Sequence, residues 1–131
     1  AGGWEGNFVS GDGSNDPGFV EAAGEAAAEG SILTCPCGAA SDEFIADYKA
    51  TNEGAEPGTY SAEGYDAAGV LLDGIADGND TREDLLDYVN NYDETGLTKQ
   101  IKFDETGEVS EVIIYAFKVE GGKIVLDQEI K

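Results

Sequence analysis

The chain has 131 residues, 40% of them hydrophobic, and 28 acidic against 7 basic side chains give it a net charge of −21. That length and apolar content suit one domain with a real core, while so negative a surface repels phosphate backbones and excludes nucleic acid as a natural partner. The carboxylates are spread between apolar residues rather than gathered in blocks, so they read first as a solvated surface suited to a salty or extracellular setting.

Phe8 and Val9 close a short strand that is broken by Gly11 and Gly13. Asp16 is placed to cap a helix with Pro17 at its first position. Phe19, Val20, Ala23 and Ala27 supply its apolar stripe as far as Gly30, the expected C-cap. Ser31 to Thr34 then reads as a strand, completing a strand, loop, helix, strand unit of an α/β fold. Ser41, with Asp42 and Glu43, begins a second helix carrying Phe44, Ile45 and Tyr48. A Pro57-Gly58 loop precedes a long helical segment in which Tyr60, Ala67, Leu71 and Ile75 share one face. Thr81 and Asp84 form a capping box for a further helix, with Leu85, Leu86, Val89 and Tyr92 expected on its buried face. The last third turns to strands: Ile101 to Phe103, a turn at Asp104 to Gly107, and the apolar run Val112 to Val119. Gly121-Gly122 joins that run to Ile124, Val125 and Leu126 as a hairpin.

The chain has no histidine, so the usual acyl-transfer triads are excluded and no nucleophile has its base. With Cys35 and Cys37 as its only soft ligands it cannot complete a structural zinc site. The pair is left between free thiols and a tight Cys-X-Cys disulfide. No apolar run reaches the roughly 20 residues that cross a bilayer, and no basic stretch leading into an apolar one marks an export signal within the sequence.

The stretch FVSGDGSNDPGF, residues 8–19, invites a metal or a phosphate. Counted as a calcium loop from Asp12, it has Pro17 at the sixth position and Ala23 at the twelfth, where glycine and glutamate belong. A phosphate cradle needs a lysine after its last glycine, and none stands there. What the residues leave is a carboxylate, Asp12, flanked by Gly11 and Gly13 at the carboxyl end of a strand, where open α/β sheets bind ligands. The glycines allow close approach to the backbone, and Asp12 suits a cationic group such as an α-ammonium. The alternative is a helix-entry loop whose acids complement the helix dipole.

Three stretches, FVSGDGSNDPGFVEAAGEAAAEGSILTCP, PGTYSAEGYDAAGVLLDGI and GLTKQIKFDETGEVSEVIIYAFKVEGGKIV, together resemble the C-terminal third of a type I periplasmic binding protein. The resemblance is to the branched-chain amino acid and amide receptors of ABC transporters. In that family's closing signature a second glycine stands where this chain has Lys99. The resemblance implies an α/β fragment of the fold, with parts of two three-layer α/β/α lobes and a final β-hairpin. Residues 1–36 would belong to the C-terminal lobe, 37–112 to the N-terminal lobe, and 113–131 would return across the hinge.

The family's ligand acid falls on Asp12, between Gly11 and Gly13, and its pocket aromatic falls on Tyr60, which reads equally as a core residue. The implied function is a solute-binding component of an ABC importer, outside the cytoplasm in the periplasm or at the cell surface, where a lipid anchor is one option. It would bind an amino acid or amide, use no cofactor and catalyse no reaction. Its partners would be an ABC permease and either the remaining N-terminal segment or a second copy. A ligand-sensing domain of the same fold and an acidic interaction domain without a small ligand are the alternatives.

Overall fold

In the computed structural model, which describes residues 5–38 and 40–130, the chain divides into two units. One combines Ala1–Ala39 with Ile113–Lys131, and the other is Ala40–Val112.

The first unit is built on a mixed four-stranded sheet. Strand β1 (Val9–Ser10) is cut short by Gly11 and leads through a loop to helix α1 (Pro17–Ala23) and the single turn α2 (Glu25–Ala28), which delivers the chain to β2 (Ile32–Cys35). The two strands are parallel, with Val9 opposite Ile32 and Ser10 opposite Leu33. The start of α1 is as the sequence expects: Asp16 accepts a hydrogen bond from the Gly18 amide at 2.7 Å, and Pro17 occupies the first turn. Phe19 stacks on Phe8 with ring centroids 5.4 Å apart, which ties the helix to the strand it follows.

The expected continuous helix to Gly30 is not formed. Gly24 has φ 82° and ψ 140°, outside any helix, so the chain breaks there, and Ala23 and Ala27 lie exposed while Ala28 takes the buried place. Glycine reaches that backbone at no steric cost, which is why an apolar periodicity running through it is misleading.

Strands β5 (Ile114–Glu120) and β6 (Lys123–Ile130) complete the sheet in the order β1-β2-β5-β6. The Gly121-Gly122 turn has both residues at positive φ, as the expected hairpin requires. The apolar run from Ile114 onward thus ends up in the sheet interior, antiparallel to β2 on one side and to β6 on the other, while Val112, expected in the same strand, lies ahead of it and exposed. Leu33, Cys35, Ala116 and Val119 form the buried centre. Glu29 accepts from the Gly121 amide at 3.2 Å and fastens the end of α2 to the hairpin turn.

The second unit holds helices α3 (Asp42–Thr51), α4 (Ser61–Ala76) and α5 (Arg82–Asn90), with the short strands β3 (Asp93–Thr95) and β4 (Gln100–Lys102) paired antiparallel. Ser41 caps α3 by accepting from the Phe44 amide at 3.2 Å. Thr81 caps α5 as expected by accepting from the Asp84 amide, and its hydroxyl donates to the Asp84 carboxylate, joining the two residues the sequence paired.

The buried side of α4 differs from expectation: Ala62, Asp66, Val70 and Gly74 face inward, and Leu71 and Ile75 are about half exposed. The reason is close packing. A methyl on Gly74 would lie 2.6 Å from Leu85 and 2.8 Å from Tyr88, so α5 approaches along a seam of small residues. On α5, Leu86 is 58% exposed, contrary to expectation, while Leu85, Tyr88 and Val89 turn partly inward. The Asp104 to Gly107 turn forms as expected, closed by the Gly107 amide on the Asp104 carbonyl at 3.0 Å. An isolated bridge pairs Phe103 with Val109.

Candidate functional site

Because β1 and β2 run parallel, their carboxyl ends open on the same edge of the sheet, and the loops leaving them meet there. After β1, Asp12–Ser14 makes one three-ten turn in which the Ser14 amide donates to the Gly11 carbonyl at 3.2 Å and the Asn15 amide to the Asp12 carbonyl at 2.9 Å. Ser10 and Ser14 hydroxyls are 2.9 Å apart across its base. Thr34, on β2, donates to the Ser10 carbonyl at 3.3 Å. Asn15 is buried and its amide nitrogen donates to Cys37 Sγ at 3.6 Å. Cys35 and Cys37 are joined as a disulfide with Cα atoms 5.0 Å apart, which resolves the alternatives left open by the sequence.

Gly11, Asp12 and Gly13 therefore come together as an exposed lip with a firmly anchored base. Neither glycine is demanded by the fold. Gly11 has φ −88°, neither glycine has a positive φ, and a methyl group on either would meet nothing within 4 Å. Asp12 thus stands between two exposed glycines.

Tyr60 belongs to the other unit. It is 38% exposed, so it is not a core residue there, and it occupies the N-cap of α4 with a left-handed backbone, φ 67°. A tyrosine held in that region carries strain of the kind that collects at functional positions. Two grooves open on the same unit. A wide one of about 730 Å³ lies beside Phe44, Tyr48 and Tyr65, and a narrower apolar one of about 330 Å³ beside Val70, Leu71, Val89, Ile101 and Phe103. Neither has Tyr60 in its wall.

Sequence reasoning missed one carboxylate. Asp66, on the buried side of α4, accepts from the amides of Leu97 and Thr98 at 2.6 and 2.8 Å and from the Thr98 hydroxyl at 2.6 Å. Gly96 must lack a side chain, since a Cβ would come within 2.6 Å of Ile101 and 2.8 Å of Asp66. Two stretches far apart in sequence, Tyr65-Asp66-Ala67 and Gly96-Leu97-Thr98, are thus one structural device. The signal that could have found it was an aspartate at the i, i+4 spacing of Ala62, Val70 and Gly74. The strand pair on either side of the Gly96 loop is pinned by Asp93, which pairs with Lys102 and accepts from Gln100 at 2.9 Å. The Lys102 bond is the main cause holding the Asp93 carboxyl below its ordinary value. Among the described residues no cluster of histidine, cysteine, aspartate or glutamate could hold a metal ion, and no helix is long and apolar enough to cross a membrane.

The sheet order, the loop at its carboxyl edge and the terminal hairpin define part of a type I periplasmic-binding-protein fold. Solved structures agree. The chain is 32% identical to the leucine binding protein LivK of Thermotoga maritima, covering 98% of this chain and 38% of that one with a TM-score of 0.81. It is 28% identical to a putative branched-chain amino acid ABC transporter protein of Rhodospirillum rubrum, covering 95% and 38% with a TM-score of 0.69. The isoleucine complex of LivJ from Streptococcus pneumoniae shares 23% identity over 93% and 36% of the two chains, with a TM-score of 0.77. The chain thus spans under two-fifths of the length of each of these three structures. Its fold neighbours are substrate-binding proteins of ABC transporters, which are not enzymes. No protein-family model matches the sequence, and no curated protein does either.

Proposed function

We propose that this chain is the C-terminal portion of an extracytoplasmic solute receptor for an ABC importer, binding an amino acid of the branched-chain type between two lobes. The observation that carries this is Gly11-Asp12-Gly13: an exposed carboxylate between two glycines the fold does not require, at the joint carboxyl edge of β1 and β2. A carboxylate suits an α-ammonium group, which needs an anion, and the exposed glycine amides beside it are donors that suit the ligand's α-carboxylate. The 32% identity to a leucine binding protein supports the amino acid class.

Tyr60 is the proposed contact from the opposite lobe, supported by its exposure and its left-handed backbone. The proposed lobes follow the boundaries 1–36 with 113–131, and 37–112; the separation of the chain into two units supports them. An ABC permease is the implied partner in the membrane. The remaining receptor segment would cover the half-exposed Leu71, Ile75 and Leu86. Closure of the lobes around the ligand would be the working motion.

Titration calorimetry of the full-length receptor with L-leucine, L-isoleucine and L-valine tests this. Asp12→Ala is expected to weaken binding by about 1.5 to 3 kcal/mol through loss of a charge-assisted bond. Unchanged affinity would remove Asp12 from the site, and absence of heat with every amino acid would remove the ligand class.

A further inference from the structure

The Cys-Pro-Cys segment has no part in ligand contact as described, yet it touches the ligand loop. Asn15 closes that loop and is the one buried residue between Gly11 and Asn15. Its side chain ends on Cys37 Sγ at 3.6 Å. Cys35 is fully buried and Cys37 nearly so, and the Cys37 amide donates to Cys35 Sγ at 3.2 Å. At the other end of the loop, Thr34 donates to the Ser10 carbonyl at 3.3 Å. The loop is therefore tied at its entrance to Thr34 of strand β2 and at its exit to Cys37 of the disulfide.

We propose that the Cys35–Cys37 disulfide and Asn15 form a positioning clamp for the Gly11–Asn15 loop, so that the order of the loop depends on whether the two cysteines are oxidised. Only the affinity readout below rests on the amino acid function proposed above. A dithiol reductant supplies two electrons and two protons: the S–S bond breaks, Cys35 and Cys37 become thiols, and the reductant closes into its own cyclic disulfide. Cys37 is then no longer tethered across Pro36, and Asn15 loses a fixed acceptor. The three-ten turn keeps its two backbone bonds and the Ser10–Ser14 pair, and its exit is held less firmly.

Amide hydrogen exchange on the full-length chain, before and after dithiothreitol, gives a readout that needs no ligand; the gain of two hydrogens in intact mass verifies reduction. Exchange at Ser14 and Asn15 is expected to rise about 3- to 10-fold, the weight of one hydrogen bond. The β2–β5 ladder should keep its protection. Asn15→Ala should loosen the same amides in the oxidised protein, and reduction should add nothing further in that variant. L-leucine affinity should fall by a similar factor in both cases.

Loop exchange unchanged by reduction would overturn the clamp, as would protection lost throughout the β2–β5 ladder, which would mark a general fold staple. An unchanged L-leucine affinity beside a loosened loop would overturn its part in binding. If oxidised wild type fails to bind L-leucine at all, the proposed ligand class falls while the exchange data still decide the clamp.

Discussion

At the scale of single residues, the acids of this chain divide by what their oxygens accept. Asp66 takes three hydrogen bonds in a buried position and fixes the loop ahead of β4. Asp66→Ala would leave two backbone amides and a hydroxyl without that acceptor. It is expected to lower stability by about 3 kcal/mol, read from urea midpoints. Asp104 is exposed, and its carboxyl lies below the ordinary value of 3.8 chiefly because the Thr106 hydroxyl donates to it, with the Thr106 and Glu108 amides adding to the effect. A carboxylate with a depressed folded value contributes its stabilisation above the unfolded value and loses it as pH falls through the folded one. The Asp104 to Gly107 turn should therefore hold at neutral pH and loosen only below 3.8. Amide shifts of Thr106 and Glu108 titrating with a midpoint above that value would contradict the assignment.

At the scale of elements, the break at Gly24 makes a test by sign. If the helix ran unbroken, Gly24→Ala would stabilise it by about 1 kcal/mol. With Gly24 at φ 82°, the same change should instead cost about 1 kcal/mol, measured by thermal or urea unfolding. Helix starts were legible in the sequence because capping is local chemistry: Asp16 with Pro17, Ser41, and Thr81 with Asp84 each act within three residues. The Gly121-Gly122 hairpin was legible for the same reason. The inward side of α4 was not, since its small residues and one aspartate resemble a solvent face until α5 and the Gly96 loop are packed on it. β3 was not legible either, because Asp-Glu-Thr carries no strand pattern and pairs only through β4. Of the candidate site, Gly11-Asp12-Gly13 could be read directly. The tie from Asn15 to Cys37 joins residues 22 apart and exists only once β1 and β2 lie side by side.

At the scale of the whole molecule, a net charge of −21 on 131 residues means that most charged groups repel their neighbours. Among the described residues three ion pairs offset this: Lys49–Glu56, Lys102–Asp93 and Lys118–Glu120, all at least partly exposed. Exposed pairs of this kind contribute little each, so screening of the general repulsion should win. The melting temperature is expected to rise between 10 and 500 mM NaCl, where the screening length shrinks from about 30 Å to a few ångströms. A flat or falling melting curve would indicate that the pairs dominate instead. The sheet of the first unit also sets an order of events during synthesis. Its second strand leaves the ribosome long before residues 114–130, which supply its antiparallel neighbour and the one beyond. Everything from Ala40 to Val112 emerges in between. The nascent chain must therefore carry an open edge on β2 while a whole second unit is made, an edge that only β5 later covers.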